Sequence, residues 1–425
     1  MANSTKYWKG LEQLNEDPQF VEASKNEFPE HLPTDAFLGD QEVLENSTTT
    51  RRDFLKFLGF GVAAASLAAC ETPVTKAIPY LNKPEEIIPG QANYYASTFY
   101  DGHDYCPVLV KTREGRPIFF FFYTSSSLTN GEINARVNAS VLSLYDNNRL
   151  KSPLINGKEA SWSDIDSALT KEIKGAKNLR VLSSTLMSPS TKEILSSLSN
   201  KEQEIVAEEG TVVENKNIIV EYDAISYSGI LDANNESFGK RVIPTYNFAN
   251  AKTIVSIGAD FISGWLDAMQ YSTGYTNRRS PEGEWMSKHY QFEANMSLTG
   301  TNADVRVPVK PSEYGAVVAT IYNVVAAKVG GSQVKVGTIN KIVAAKASSA
   351  AESLLENKGA SLVVCGSNDK NVQVLVNGLN NMLGNYGKTI DINKTSHSKN
   401  GSDIAVAELI KEMESGKVDV LLIYG

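Results

Sequence analysis

Thr253-Ile254-Val255-Ser256-Ile257-Gly258-Ala259-Asp260-Phe261 reads as a continuous apolar strand running directly into a glycine loop. A strand that is apolar on both faces has to be covered on both, the condition of a parallel sheet held between helices. The pattern recurs at Leu179–Leu182, Asn217–Val220, Ser361–Cys365 and Val418–Ile423. Helical periodicity fills the intervals at Trp162–Ile173, at Ser190–Leu198 after the Ser188-Pro189 turn, and at Glu313–Val329. Alternation of this kind predicts an α/β architecture with parallel sheets over residues 156–425. A buried strand as the last element, ending at Tyr424-Gly425, predicts that the sequence continues in a longer protein.

Upstream the pattern changes. Tyr94, Tyr95, Val108, Leu109 and Val110, followed by Pro117-Ile118-Phe119-Phe120-Phe121-Phe122, predict a small β-rich domain over 93–155, with a hairpin turn at Glu114-Gly115-Arg116. Prolines 73, 79, 84 and 89 make residues 71–92 an extended linker. Ahead of it, Thr50-Arg51-Arg52-Asp53-Phe54-Leu55-Lys56 matches the twin-arginine export pattern. The apolar run Phe57–Ala69 is shorter than the roughly 20 residues of a spanning helix and suits a signal core. Leu67-Ala68-Ala69-Cys70 resembles a lipobox, which makes Cys70 the expected lipidated first residue of a mature chain. Arg51, Arg52, Phe54, Leu55 and Lys56 are thus the expected export signal over 50–70. The destination is the periplasmic side of a bacterial inner membrane. Residues 1–49 form an acidic leader with Pro18, Pro29 and Pro33 as helix breakers.

The net charge of -8 falls largely on that leader, where three lysines face ten acidic residues. No basic field remains to attract nucleic acid. Three cysteines, Cys70, Cys106 and Cys365, are too few for a four-thiolate iron–sulfur cluster. A Cys106–Cys365 disulfide is left open by the sequence. His31, His103, His289 and His397 show no metal-ligand spacing; His289 reads as a packing or surface residue. Arg278-Arg279 before Ser280-Pro281 reads as a solvated loop.

Several stretches taken together resemble the molybdopterin oxidoreductase superfamily. Leu109–Ile118 is similar to the hairpin of that family's small cluster domain. Leu144-Tyr145-Asp146-Asn147-Asn148-Arg149-Leu150-Lys151-Ser152-Pro153-Leu154 is close to the family's LYDPDRLKYPL, and Ala160-Ser161-Trp162-Ser163-Asp164 to its ISWDEA. Ile254–Phe261 is similar to the strand and loop that touch the guanine dinucleotide. The leader stretches Lys6-Tyr7-Trp8-Lys9-Gly10-Leu11-Glu12 and Glu27-Phe28-Pro29-Glu30 resemble a branch with an extended export signal, which includes a subunit of the quinol-oxidising alternative complex III.

The resemblance implies sites, and most are degenerate here. Where the family's cluster domain carries Cys-x2-Cys-x3-Cys, only Cys106 is present, and Asn134 stands at the place of a fourth Cys. One sulfur and an amide cannot hold a four-iron cluster. Lys310-Pro311-Ser312-Glu313 replaces Arg-Pro-Gly-Thr-Asp, so Ser312 stands for a glycine and Glu313 matches the guanine-binding Asp only after a shift of one residue. Asp260, in the loop opened by Gly258, brings an anion to a position near pyrophosphate. Ser226 falls near the metal-ligating position and is the one candidate molybdenum ligand; its bland reading is a turn or cap serine.

The expectation is a structural subunit with no catalytic residue and no cofactor of its own. Its implied partners are membrane quinone-binding subunits, multi-haem cytochrome c subunits and an iron–sulfur module that follows in the chain or sits in a partner, with a lipid anchor. The alternative is an active molybdenum oxidoreductase carrying pterin guanine dinucleotide on Ser226.

Overall fold

Glu114 and Gly115 both hold positive φ, 51° and 78°, the backbone of a two-residue type I′ turn that matches strand twist. They join the second and third strands of an antiparallel meander, β1 (Asn93–Tyr100), β2 (Tyr105–Arg113) and β3 (Arg116–Phe122), where the sequence predicts a hairpin. The computed structural model describes residues 87–88, 90–126, 131–198 and 218–425, which belong to one of two compact units, 84–425. The leader, the export signal and Cys70 lie outside the described residues. One face of the meander buries Cys106 and Val108 against Val137 and Met269. A second positive-φ pair, Asn156 and Gly157, turns the short hairpin β4 (Leu154–Ile155) and β5 (Lys158–Glu159). This Asn-Gly turn is a signal that the sequence reading passed over.

From there helices and strands alternate. The strands are β6 (Leu179–Ser183), β7 (Ile219–Glu221), β8 (Ile243–Tyr246), β9 (Thr253–Ile257), β10 (Lys288–Glu293), β11 (Val305–Pro308), β12 (Ser361–Cys365), β13 (Ile390–Ser396) and β14 (Val420–Tyr424). Four make a parallel sheet in the order β11-β10-β9-β12, three make a second in the order β14-β6-β7, and β13 pairs antiparallel with β8. The mixed α/β class and the small antiparallel sheet ahead of parallel ones are therefore as the sequence predicts. β9 and β12 keep their expected bounds, whereas β14 starts and ends slightly later than expected.

Period-2 alternation distributes the large sheet between two cores. Val255, Ile257, Tyr290, Phe292, Val363 and Cys365 face the helices Tyr314–Val329, Lys341–Glu356 and Lys370–Met382. Ile254, Leu362 and Val364 face the opposite way, onto Leu231, Phe248, Phe261, Tyr271 and Tyr275. Each such side chain contributes about 1.5–3 kcal/mol by leaving water. Cys106 and Cys365 are both free and buried, in different cores, so the disulfide left open by the sequence is not formed.

Candidate functional site

In an open parallel sheet, ligands settle beyond the carboxyl ends of the strands, where the strand order reverses. For β11-β10-β9-β12 that switch point lies between β9 and β12. Ile257 leads into Gly258, at φ 68°, and Cys365 into Gly366. Gly366 N–H donates to the Ile257 carbonyl at 2.9 Å and Gly258 N–H to the Phe292 carbonyl at 2.7 Å. A Cβ on Gly366 would collide with the Gly258 carbonyl, so the two loops meet backbone to backbone. Tyr314, the first residue of its helix, then lies over Gly258: a Cβ there would stand 2.8 Å from the ring Cζ. The Tyr314 hydroxyl accepts a hydrogen bond from Ala294 N–H at 3.3 Å, just past β10. One side chain therefore spans the ends of two strands beside the third, and the crevice is filled by the chain itself. Guanine dinucleotide does not fit between these loops as they stand.

The other positions named from the family resemblance have local partners. Asp260 Oδ1 accepts from the Thr299 hydroxyl at 2.7 Å and its N–H at 3.2 Å, and the Asp260 carbonyl accepts from Ser263, Gly264 and Trp265 N–H. Ser312 is exposed. Glu313 Oε2 accepts from Lys310 N–H at 3.3 Å and so caps the short turn that opens the Tyr314 helix. The sequence reading weighed Ser312 and Glu313 and missed their neighbour Tyr314, since only the packed sheet shows that the ring reaches Gly258.

Cys106 and Asn134 are brought near one another. The Cys106 thiol faces the Glu132 carbonyl at 3.5 Å, and two residues on Asn134 caps the helix Ala135–Ala139 by accepting from Val137 N–H at 2.9 Å. Burial pushes the thiol up to about 11, which leaves it protonated and a poor ligand or nucleophile at neutral pH. Beside it, Arg136 forks onto Asp104 at 2.8 and 3.0 Å and reaches the Ser263 carbonyl at 3.1 Å. Burial opposes the Asp104 charge, but the Arg136 hydrogen bonds and charge, together with Asn134 and His103 close by, outweigh it and hold the carboxyl below its usual range.

Ser226 stands on the loop before the helix Ser228–Phe238. Its hydroxyl donates to Asp403 Oδ2 at 2.8 Å and accepts from Ser228 N–H at 3.1 Å. Among the described residues, no group of three or more His, Cys, Asp or Glu side chains is placed to hold a metal ion. His289 is fully buried between Tyr275, at 3.1 Å, and Gln291, at 3.2 Å. Arg279 corrects the solvated-loop reading: it forks onto Asp304 at 2.8 and 3.1 Å and donates to the Ser287 carbonyl. His103 and His397, far apart in sequence, line one cavity of about 260 Å³ with Asp267 and Ser398. Burial raises the Asp267 carboxyl, and it accepts from the Ser398 hydroxyl at 3.0 Å.

No protein-family model and no curated protein matches the sequence. Among solved structures, the chain is similar to acetylene hydratase from Pelobacter acetylenicus, with TM-score 0.45 and 11% identity over 68% of this chain and 43% of that one. It thus spans less than half the length of that protein. It is also similar to the formyltransferase/hydrolase complex from Methylorubrum extorquens in complex with methylofuran, with TM-score 0.38 and 10% identity over 63% of this chain and 74% of that one.

Proposed function

We propose that the chain is a structural, cofactor-free molybdopterin-oxidoreductase-like subunit of a quinol-oxidising respiratory complex of the alternative complex III kind. The motifs Leu144–Leu154 and Ala160–Asp164 and the succession of a small antiparallel sheet and parallel α/β sheets support the family. The single observation that carries the loss of cofactor is the closure of the β9–β12 switch point by Gly366 against Gly258 under the Tyr314 ring. The twin arginines and Cys70 support export of the folded chain and a lipid anchor on the periplasmic side of the inner membrane. Its role there is to hold an iron–sulfur module against membrane quinone-binding and multi-haem cytochrome c subunits.

The test is metal and pterin analysis of the native protein, purified from membranes in mild detergent with whatever accompanies it. The expected result is a haem-bearing, quinone-binding assembly with no molybdenum, tungsten or pterin assignable to this chain. Stoichiometric molybdenum with guanine dinucleotide sinks the structural reading, and an unaccompanied monomer sinks the respiratory one.

A further inference from the structure

Cross-strand pairing sorts the β1-β2-β3 meander into two faces. Cys106 and Val108 go inward, with Val137 and Met269, so Leu109 and Lys111 on the same strand point the other way. In the register Lys111 stands between Tyr94 and Phe119, Leu109 stands between Ala96 and Phe121, and Arg113 faces Arg116 at the end of the sheet. The rings cluster: the Tyr94 and Phe119 centroids lie 6.0 and 4.7 Å from that of Phe121, and Lys111 Nζ sits 5.9 Å from the same centroid. Tyr94 is 50% exposed and Phe119 40%, with Ile118 at the adjoining bulge 43%. Apolar side chains this exposed and this contiguous mark an interaction surface.

Two observations select what meets it. The first is charge. β1, β2 and β3 contain no Asp or Glu, and Lys111, Arg113 and Arg116 stand against Glu114 alone in the turn, in a chain whose net charge is -8. Aromatic rings beside basic groups match a bilayer surface, where phosphates lie above an apolar layer. The second is the tether. Arg113 Nη2 donates to the Gly90 carbonyl at 2.7 Å, which fixes the incoming chain at the basic end of this sheet. Gly90 follows Cys70 by twenty positions. At no more than about 3.6 Å per residue, the chain between them spans at most roughly 70 Å, whatever its path. With an acyl chain on Cys70, contact between sheet and bilayer becomes intramolecular, and a weak affinity suffices.

We infer that this face of the meander docks on an anionic lipid bilayer. The Tyr94 and Phe119 rings sit at the headgroup level, and Lys111, Arg113 and Arg116 meet lipid phosphates. The choice of lipid as the occupant rests on the anchored reading proposed above. The sheet by itself binds weakly and reversibly; the acyl chain keeps it within reach.

The experiment uses the full chain with Cys70→Ala, so that no acyl chain contributes. It is sedimented with vesicles of mixed phosphatidylcholine and phosphatidylglycerol, and with vesicles of phosphatidylcholine alone. Every variant keeps residues 57–69, so differences among variants report the sheet. Saturable binding to the mixed vesicles is expected, weakened about threefold to tenfold by Lys111→Gln and by Phe119→Ser, and weaker on phosphatidylcholine alone. Should Phe119→Ser not fold, Lys111→Gln carries the comparison. A solvent-sensitive dye on Phe119→Cys should be free in lipid-free protein and shielded on mixed vesicles. Equal binding by wild type and both variants overturns the inference, as does equal binding to the two vesicle types. So does a dye already shielded without lipid, the result if a second copy or another part of the chain covers the sheet. Intact mass of the exported wild type separates the two failures. An unlipidated Cys70 removes the anchor and with it the choice of occupant, whereas indifference to Lys111 and Phe119 with Cys70 acylated removes the docking face alone.

Discussion

The Tyr314 ring lies so close over Gly258 that a methyl group at 258 would stand 2.8 Å from the ring Cζ. The glycine is required twice, by its φ of 68° and by that ring.

Gly258→Ala should therefore cost about 2–4 kcal/mol, the sum of left-handed strain and overpacking. Tyr314→Ala removes the obstacle, so the double variant should be less destabilised than the two single losses add up to. Urea denaturation of the four proteins measures the coupling. Strict additivity would show that the ring and the glycine do not depend on each other.

Acid should destabilise the large sheet through His289. Burial pushes its imidazole down to about 4 from the usual 6.5, so the folded state holds it neutral while the unfolded chain takes up a proton. The stability it contributes is complete above pH 6.5 and is lost as pH falls towards 4, on the order of 3 kcal/mol in all. Urea midpoints at pH 7.5 and 4.5 should separate more in the wild type than in His289→Gln. Equal separation would show that the ring does not titrate in this way.

Neither described cysteine should react in the native protein. Burial pushes Cys106 up to about 11 and Cys365 up to about 12, and both are free thiols. Iodoacetamide at pH 8 should label them only after denaturation, with mass spectrometry counting the adducts. Rapid native labelling of either would mean that its strand opens readily.

Export is testable without reference to the fold. Replacing Arg51 and Arg52 by Lys should leave the chain in the cytoplasm, and Cys70→Ala should release the exported chain from the membrane fraction. Fractionation and intact-mass measurement read both outcomes; an exported, unlipidated wild-type chain beginning at Met1 would refute the anchor.

Local signals carried much of the architecture. Mostly apolar runs located β9 and β12 to the residue, because both faces are covered and the few polar side chains there, Thr253, Ser256 and Ser361, find hydrogen-bond partners inside the fold. β10 escaped notice for the opposite reason. In Lys288-His289-Tyr290-Gln291-Phe292-Glu293, one face is apolar and the other is a buried polar ladder in which His289 meets Gln291 and Gln291 meets Glu293. Alternation of that kind reads as a half-solvated strand, and only its tertiary partners, Tyr275, Ser297 and Arg306, let the polar face be buried.

By itself, the sequence determined the α/β class, the positions of its most apolar strands, the Glu114-Gly115 turn and the small number of cysteines, all of which depend on residue type and near neighbours. Only the tertiary structure decided that the crevice between β9 and β12 is closed. Tyr314 and Gly258 are 56 positions apart, as are no local rules of spacing, and Lys399 reaches Gly102 from nearly 300 residues away. Strand order brings such residues together, and strand order depends on the packing of whole elements, which no short stretch encodes.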